Sequence, residues 1–102
     1  MGMTMAEKIL ASHSGRESVS PGEYVTAEID VMMGNDITFA DACRNLVDIG
    51  LTSFADPDKV VVCNDHRIPA MTARDAELQT RLREYAAQFG VKYFYDAGVG
   101  IE

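Results

Sequence analysis

The chain has no tryptophan and only two cysteines, two histidines and three prolines in 102 residues. Two cysteines without a Cys-x-x-Cys pair exclude a zinc ribbon, a self-contained iron–sulfur site and a disulfide-stapled scaffold. Cys43 and Cys63 fall in different expected elements, so no disulfide is expected between them in a reducing compartment. Basic residues are also scarce: nine Lys and Arg stand against sixteen Asp and Glu, a net charge of −7. That balance excludes general nucleic-acid affinity, which needs clustered cations. The densest positive region, Arg74, Arg81 and Arg83, is interleaved with Asp75, Glu77 and Glu84 and reads as a solvated helix face. No apolar run approaches the roughly 20 residues of a membrane span. Glu7 and Lys8 interrupt any signal-peptide pattern, and a cytoplasmic protein is the expectation. A dinucleotide fingerprint is missing too: Gly98 and Gly100 lie after a strand, but no helix follows and the full GxGxxG spacing is absent.

The residues present, 47% hydrophobic and 25% charged, suit one soluble globular domain over 1–102. Their order is helix, strand, helix, strand, helix, strand. Thr4 with Glu7 has capping-box spacing, Met5, Ile9 and Leu10 give the first helix an apolar side, and Gly15 is its stop. Thr38 with Asp41 repeats the cap before the stripe Phe39, Ala42, Cys43, Leu46, Val47, which stops at Gly50. Thr72 with Asp75 opens a third helix carrying Leu78, Leu82, Tyr85, Ala86 and Phe89 at helical spacing before Gly90. Alternation over Val25, Ala27, Ile29, Val31 and Met33 predicts a strand after the loop that ends at Pro21-Gly22. Val60-Val61-Val62-Cys63 predicts a buried central strand entered by the Asp56-Pro57-Asp58 turn, and Val91 to Tyr95 a third strand. Strands separated by helices are βαβ units. The fold class is therefore α/β, a three-layer α/β/α-type arrangement on a small, mainly parallel sheet.

In such sheets ligands gather at the carboxyl ends of the strands. Those ends here are Gly34-Asn35-Asp36, Asn64-Asp65-His66 and Asp96-Ala97-Gly98, all polar or glycine-rich and all expected on one rim. Asp65 and His66 are the candidates for acid–base chemistry, since a carboxylate beside an imidazole raises its basicity and sets its orientation. Adjacent residues on an extended segment point opposite ways, however, and a loop histidine beside a turn-capping aspartate is the plain alternative. Asn35 and Asp36 suit either hydrogen bonding to a carboxylate or hydroxyl ligand, or an Asx turn before Thr38. His13, at a helix end, suits a favourable contact with the helix dipole. Cys43 on a core stripe and Cys63 inside a strand leave no Cys-His nucleophile.

Several segments together resemble the large subunits of 3-isopropylmalate dehydratases and homoaconitases, in the aconitase superfamily. They are Met3 to Ala11 with His13-Ser14-Gly15, Pro21-Gly22-Glu23, Asn35-Asp36-Ile37-Thr38, Asp56 to Val60, Asp65-His66 with Pro69-Ala70, and Gly98-Val99-Gly100-Ile101. The resemblance implies a hydro-lyase that moves a hydroxyl between neighbouring carbons of a carboxylic acid by dehydration and rehydration. It implies a 4Fe-4S cluster as Lewis acid, with His66 as proton donor to the leaving hydroxyl, Asp65 as its orienting partner, and Asn35 as a weaker substrate-contacting position. It also implies partners: a small subunit, the remaining large-subunit domains and a small carboxylic acid, with no nucleic acid and no membrane. Cys43 and Cys63 do not match the family's three cluster cysteines, and Phe39 to Arg44 departs from its usual helix start. The expectation is an N-terminal part of such an enzyme, inactive and without a cluster alone. A stand-alone binding or assembly module derived from the fold is the alternative.

Overall fold

A computed structural model describes residues 2–99, which form two compact units divided after Asp30. In the first, helix α1 runs Met5–Ser14. The Thr4 hydroxyl accepts from the N–H of Glu7 at 3.3 Å and the Glu7 carboxylate accepts from the N–H of Thr4 at 2.6 Å, the expected capping box. Gly15 ends the helix at φ +68°, where a side chain would be strained. Ala11 and Val19 are the buried apolar residues among those described in this unit.

The alternating stretch 25–30 does not form the predicted strand; regular pairing starts only at Met32. The polar partners of this stretch lie on α1 instead. Glu28 donates its N–H to the carbonyl of His13 at 2.8 Å, and the Asp30 carboxylate meets His13 Nε2 at 2.6 Å. Val25 and Ala27 are half-buried while Thr26 and Glu28 are exposed, so the alternation marks an extended strap with one covered side. A half-buried strap and a half-buried strand share one sequence pattern.

The second unit contains β1 Met32–Asn35, α2 Phe39–Asp48, a 3-10 turn Pro57–Lys59, β2 Val60–Cys63, α3 Ala73–Gln88 and β3 Tyr93–Tyr95. The strands are parallel in the order β1-β2-β3, which makes β2 central, as its run of valines implies. Val60 and Val62 are buried on one face of β2, where Phe39 and Cys43 of α2 meet Leu82 of α3 and Phe89. Both helices therefore cover the same face, as two right-handed crossovers stepping in one direction require. The α/β class and parallel sheet are as expected, while α2 and α3 together form a single helical layer. Phe54, from the loop before β2, closes the core with ring centroids 6.2 Å from Phe39 and 4.8 Å from Phe89. Gly34 of β1 makes room for that core: a Cβ there would lie 3.0 Å from the Phe39 ring.

The second expected cap takes a different form. Thr38 has helical backbone angles and makes no side-chain cap. Asn35 supplies the acceptor instead, its amide oxygen receiving the N–H groups of Ile37 and Thr38 and the Thr38 hydroxyl at 3.0 to 3.1 Å. Thr72 does cap α3, accepting from the N–H of Asp75 at 3.1 Å.

Candidate active site

Register aligns the strand ends. Asn35 is level with Cys63, and Cys63 with Tyr95, so Asp36, Asn64 and Asp96 each take the first position beyond a strand on one rim. The convergence expected from the three polar segments is present.

Two cross-strand links tie this rim together. Asp36 is fully buried, and one carboxylate oxygen accepts the N–H of His66 at 3.0 Å while the other accepts the N–H of Arg67 at 2.8 Å. Asn64, equally buried, donates its amide to Asp96 at 2.8 Å, and Arg83 of α3 closes on the same carboxylate at 2.6 and 3.1 Å. That guanidinium, helped by Asn64 and the N–H of Ala97 and opposed by partial burial, holds the Asp96 carboxyl down at about 2. The Asn64 amide oxygen is buried without a hydrogen-bond partner among the described residues.

The loop after β2 is pinned to α3 as well. Arg67 donates to the Asp75 carboxylate at 2.8 Å, and the Arg67 carbonyl accepts from the Gln79 amide. Asp75 also accepts the N–H of Met71 at 3.3 Å, and these contacts, Arg67 foremost, hold its carboxyl below the usual range. The Thr72 hydroxyl contributes to the same shift, so this carboxylate meets the cap residue and secures the loop at once.

These restraints bend the chain at His66 and Arg67 and bring together the two residues that an extended segment would separate. His66 Nδ1 lies 2.6 Å from the Asp65 carboxylate and 3.8 Å from Asp36. Because a carboxylate only accepts, the proton of this contact sits on Nδ1. Nε2 has no hydrogen-bond partner among the described residues, and half of the His66 side chain is exposed. The hydrogen bond to Asp65, opposed by desolvation and aided by the Asp65 and Asp36 charges, raises the imidazole above its ordinary pKa. An oriented, half-exposed, basic imidazole at the carboxyl end of the central strand can carry a proton to or from a small molecule at Nε2.

Asn35 stands on the same rim, but its amide oxygen is engaged in the turn before α2. Asp36, the residue that builds the loop, carried no sign of burial in sequence; its place directly after a strand was its one signal. Cys43 is fully buried among Phe39, Val62 and Leu82, and burial pushes its thiol up to about 11. Cys63 is in β2 on the face opposite Val60 and Val62. Two free thiols on opposite sides of the sheet do not fit an iron–sulfur cluster, which takes several thiolates converging on one point. No helix among the described residues is long and apolar enough to cross a membrane.

The fold and rim define an α/β unit with a histidine–aspartate pair at its central strand end. No family model matches the chain. Among curated proteins it is 41% identical over 102 residues to the 3-isopropylmalate dehydratase large subunit of Aquifex aeolicus. It is 43% identical over 102 residues to the large subunit 1 of Pyrococcus furiosus, and 39% over 103 residues to the large subunit of Thermodesulfovibrio yellowstonii. Essentially all of this chain is matched in each case, yet it spans only 24% of each relative. The chain is thus a homologue of 3-isopropylmalate dehydratase large subunits over about a quarter of their length, in keeping with the resemblance to an N-terminal part.

Proposed function

We propose that this chain supplies the proton-donating part of a hydro-lyase active site acting on 3-isopropylmalate or a similar hydroxy dicarboxylic acid. The observation that carries it is the His66–Asp65 contact, with Nε2 directed away from the carboxylate at the end of the central strand. Loss of a hydroxyl from carbon requires a proton on the departing oxygen. His66 as imidazolium supplies it from Nε2, while Asp65 holds the ring and stabilises its charged form. Asn35 keeps its amide oxygen in the α2 turn, so its contact with substrate runs through the amide nitrogen. The names of the relatives favour 3-isopropylmalate over homocitrate or homoaconitate. The cluster that the family resemblance implies belongs to other parts of a longer enzyme, as do the base that takes the carbon-bound proton and the small subunit. Alone, the chain is inactive.

The test joins this chain in frame to the rest of the Aquifex aeolicus large subunit, adds the small subunit, and follows dehydration of 3-isopropylmalate. Replacing His66 with Ala lowers turnover about 10²–10⁴-fold, the usual worth of a general acid. Near-normal turnover by that variant would refute the proton-donor role. The second reading, a stand-alone binding or assembly module, draws on residues 31–99 having a core of their own. It gains the upper hand if the joined protein stays inactive when the relative's own segment, spliced at the same junction, is active.

A further inference from the structure

We propose that Asp36 is the positioning residue of the His66–Asp65 pair, holding it through the backbone rather than by touching the ring. Asp36 comes from the end of β1, thirty residues before His66, and its side chain is wholly shielded from water. A carboxylate so placed loses its hydration and persists only where strong donors replace it. Its donors here are two consecutive backbone N–H groups, those of His66 and Arg67, one on each oxygen. These two N–H groups belong to the peptide planes on either side of the His66 Cα, so holding both restrains its φ and ψ and with them the Cα–Cβ direction. Two such anchors in succession set where the His66 side chain leaves the chain. With the opposite end of Arg67 held by Gln79 and Asp75, the loop has no freedom to swing His66 away from Asp65.

Each Asp36 oxygen takes one of these donors, and the one nearer the ring is 3.8 Å from Nδ1, beyond hydrogen-bond reach. Asp36 therefore does not receive the Nδ1 proton; Asp65 does. The tasks divide cleanly. Asp65 selects the tautomer, and Asp36 places the backbone so that Asp65 can do so. This rests on the reading of His66 as proton donor, but it is testable without turnover.

The test is nitrogen NMR on the 102-residue chain, with the wild type, Asp36→Asn and Asp65→Asn compared at a pH where His66 is neutral. In the wild type His66 carries its proton on Nδ1. Asp36→Asn, which leaves the Asp65 carboxylate intact, shifts the ring to a mixture in which the Nε2-protonated form common in water returns, while the methyl signals of Val60, Val62 and Leu82 stay in place. A purely structural role for Asp36 would move those methyls or nothing, and retention of the Nδ1 tautomer in a folded Asp36→Asn chain overturns the proposal. Should Asp36→Asn not fold, amide exchange of the wild type decides. Hydrogen bonds to a charged acceptor slow the His66 and Arg67 amides about 10–100-fold relative to an open loop, and unprotected exchange at both sinks the idea. A failed His66→Ala turnover test with an intact tautomer effect would remove the catalytic role and leave the positioning role standing.

Discussion

At the scale of single residues, the pair His66 and Asp65 makes a directional claim about pH. Proton donation needs the imidazolium, and the folded chain raises the His66 pKa chiefly through the Asp65 hydrogen bond. Activity of the joined enzyme should therefore persist through neutral pH and fall as pH rises through that raised value. Asp65→Asn removes the main cause of the shift, so the alkaline limb of the rate profile moves to lower pH; an unmoved limb would assign the titration to another group. Cys43 gives a second residue-scale expectation. With its thiol pushed to about 11 by burial, it should resist alkylation at pH 8 until the chain is unfolded. The sequence showed that Cys43 lay on an apolar stripe, but not that the stripe faced the core so fully.

Single elements carry two mechanical expectations. Gly34 lets β1 lie against Phe39, and the 3.0 Å approach leaves no room for a methyl group without movement of the ring. Gly34→Ala should destabilise the sheet unit by about 1–3 kcal/mol, the usual range for overpacking a filled core, measured as a lower denaturation midpoint. The start of α2 tests a corrected expectation. Thr38 was read as the cap, whereas it makes no side-chain cap and Asn35 instead closes the turn that leads into α2. Asn35→Ala should cost about 1 kcal/mol, the usual net worth of a hydrogen bond lost from such a turn, and Thr38→Val distinctly less. The error has a physical origin: Thr, Asn and Asp all serve as caps, and Asn35-Asp36-Ile37-Thr38 contains three of them. Which one faces the free N–H groups depends on how the strand enters the turn.

Across the whole molecule, the two units should respond to pH in opposite senses. In the first, His13 is raised in pKa chiefly by its hydrogen bond to Asp30. A group raised on folding stabilises below its unfolded pKa and ceases to do so as pH rises through the folded value. Amide protection around α1 should therefore weaken on the alkaline side, and Asp30→Asn should reduce that dependence, leaving what the Ile9 carbonyl and Glu28 contribute. In the second, Asp96 is held at about 2 by Arg83. A depressed carboxyl stabilises above its unfolded value of about 3.9, and that contribution is lost as pH falls through the folded one. Arg83→Gln should move acid unfolding of residues 31–99 to higher pH, followed by circular dichroism. Leu82, fully buried in the core of that unit, sets the scale of hydrophobic stabilisation: Leu82→Ala should cost about 2–5 kcal/mol.

The sequence by itself determined the three helices, the central strand and the polar rim, because each rests on local chemistry: a Thr–Glu box, glycine stops, a run of β-branched residues, and short parallel crossovers. It also singled out Asp65 and His66. Tertiary structure decided the rest. It turned the alternation of residues 25–30 into a strap on α1, placed α2 and α3 in one layer, and gave the Asn35 oxygen to a turn. Above all, it buried Asp36. That carboxylate lies thirty positions from the loop it holds, and its burial is stable only because parallel pairing brings two backbone N–H groups to it. Alternation, capping and propensity are properties of neighbours along the chain. The contact that orients His66 is a property of neighbours across the sheet, and only the assembled fold supplies it.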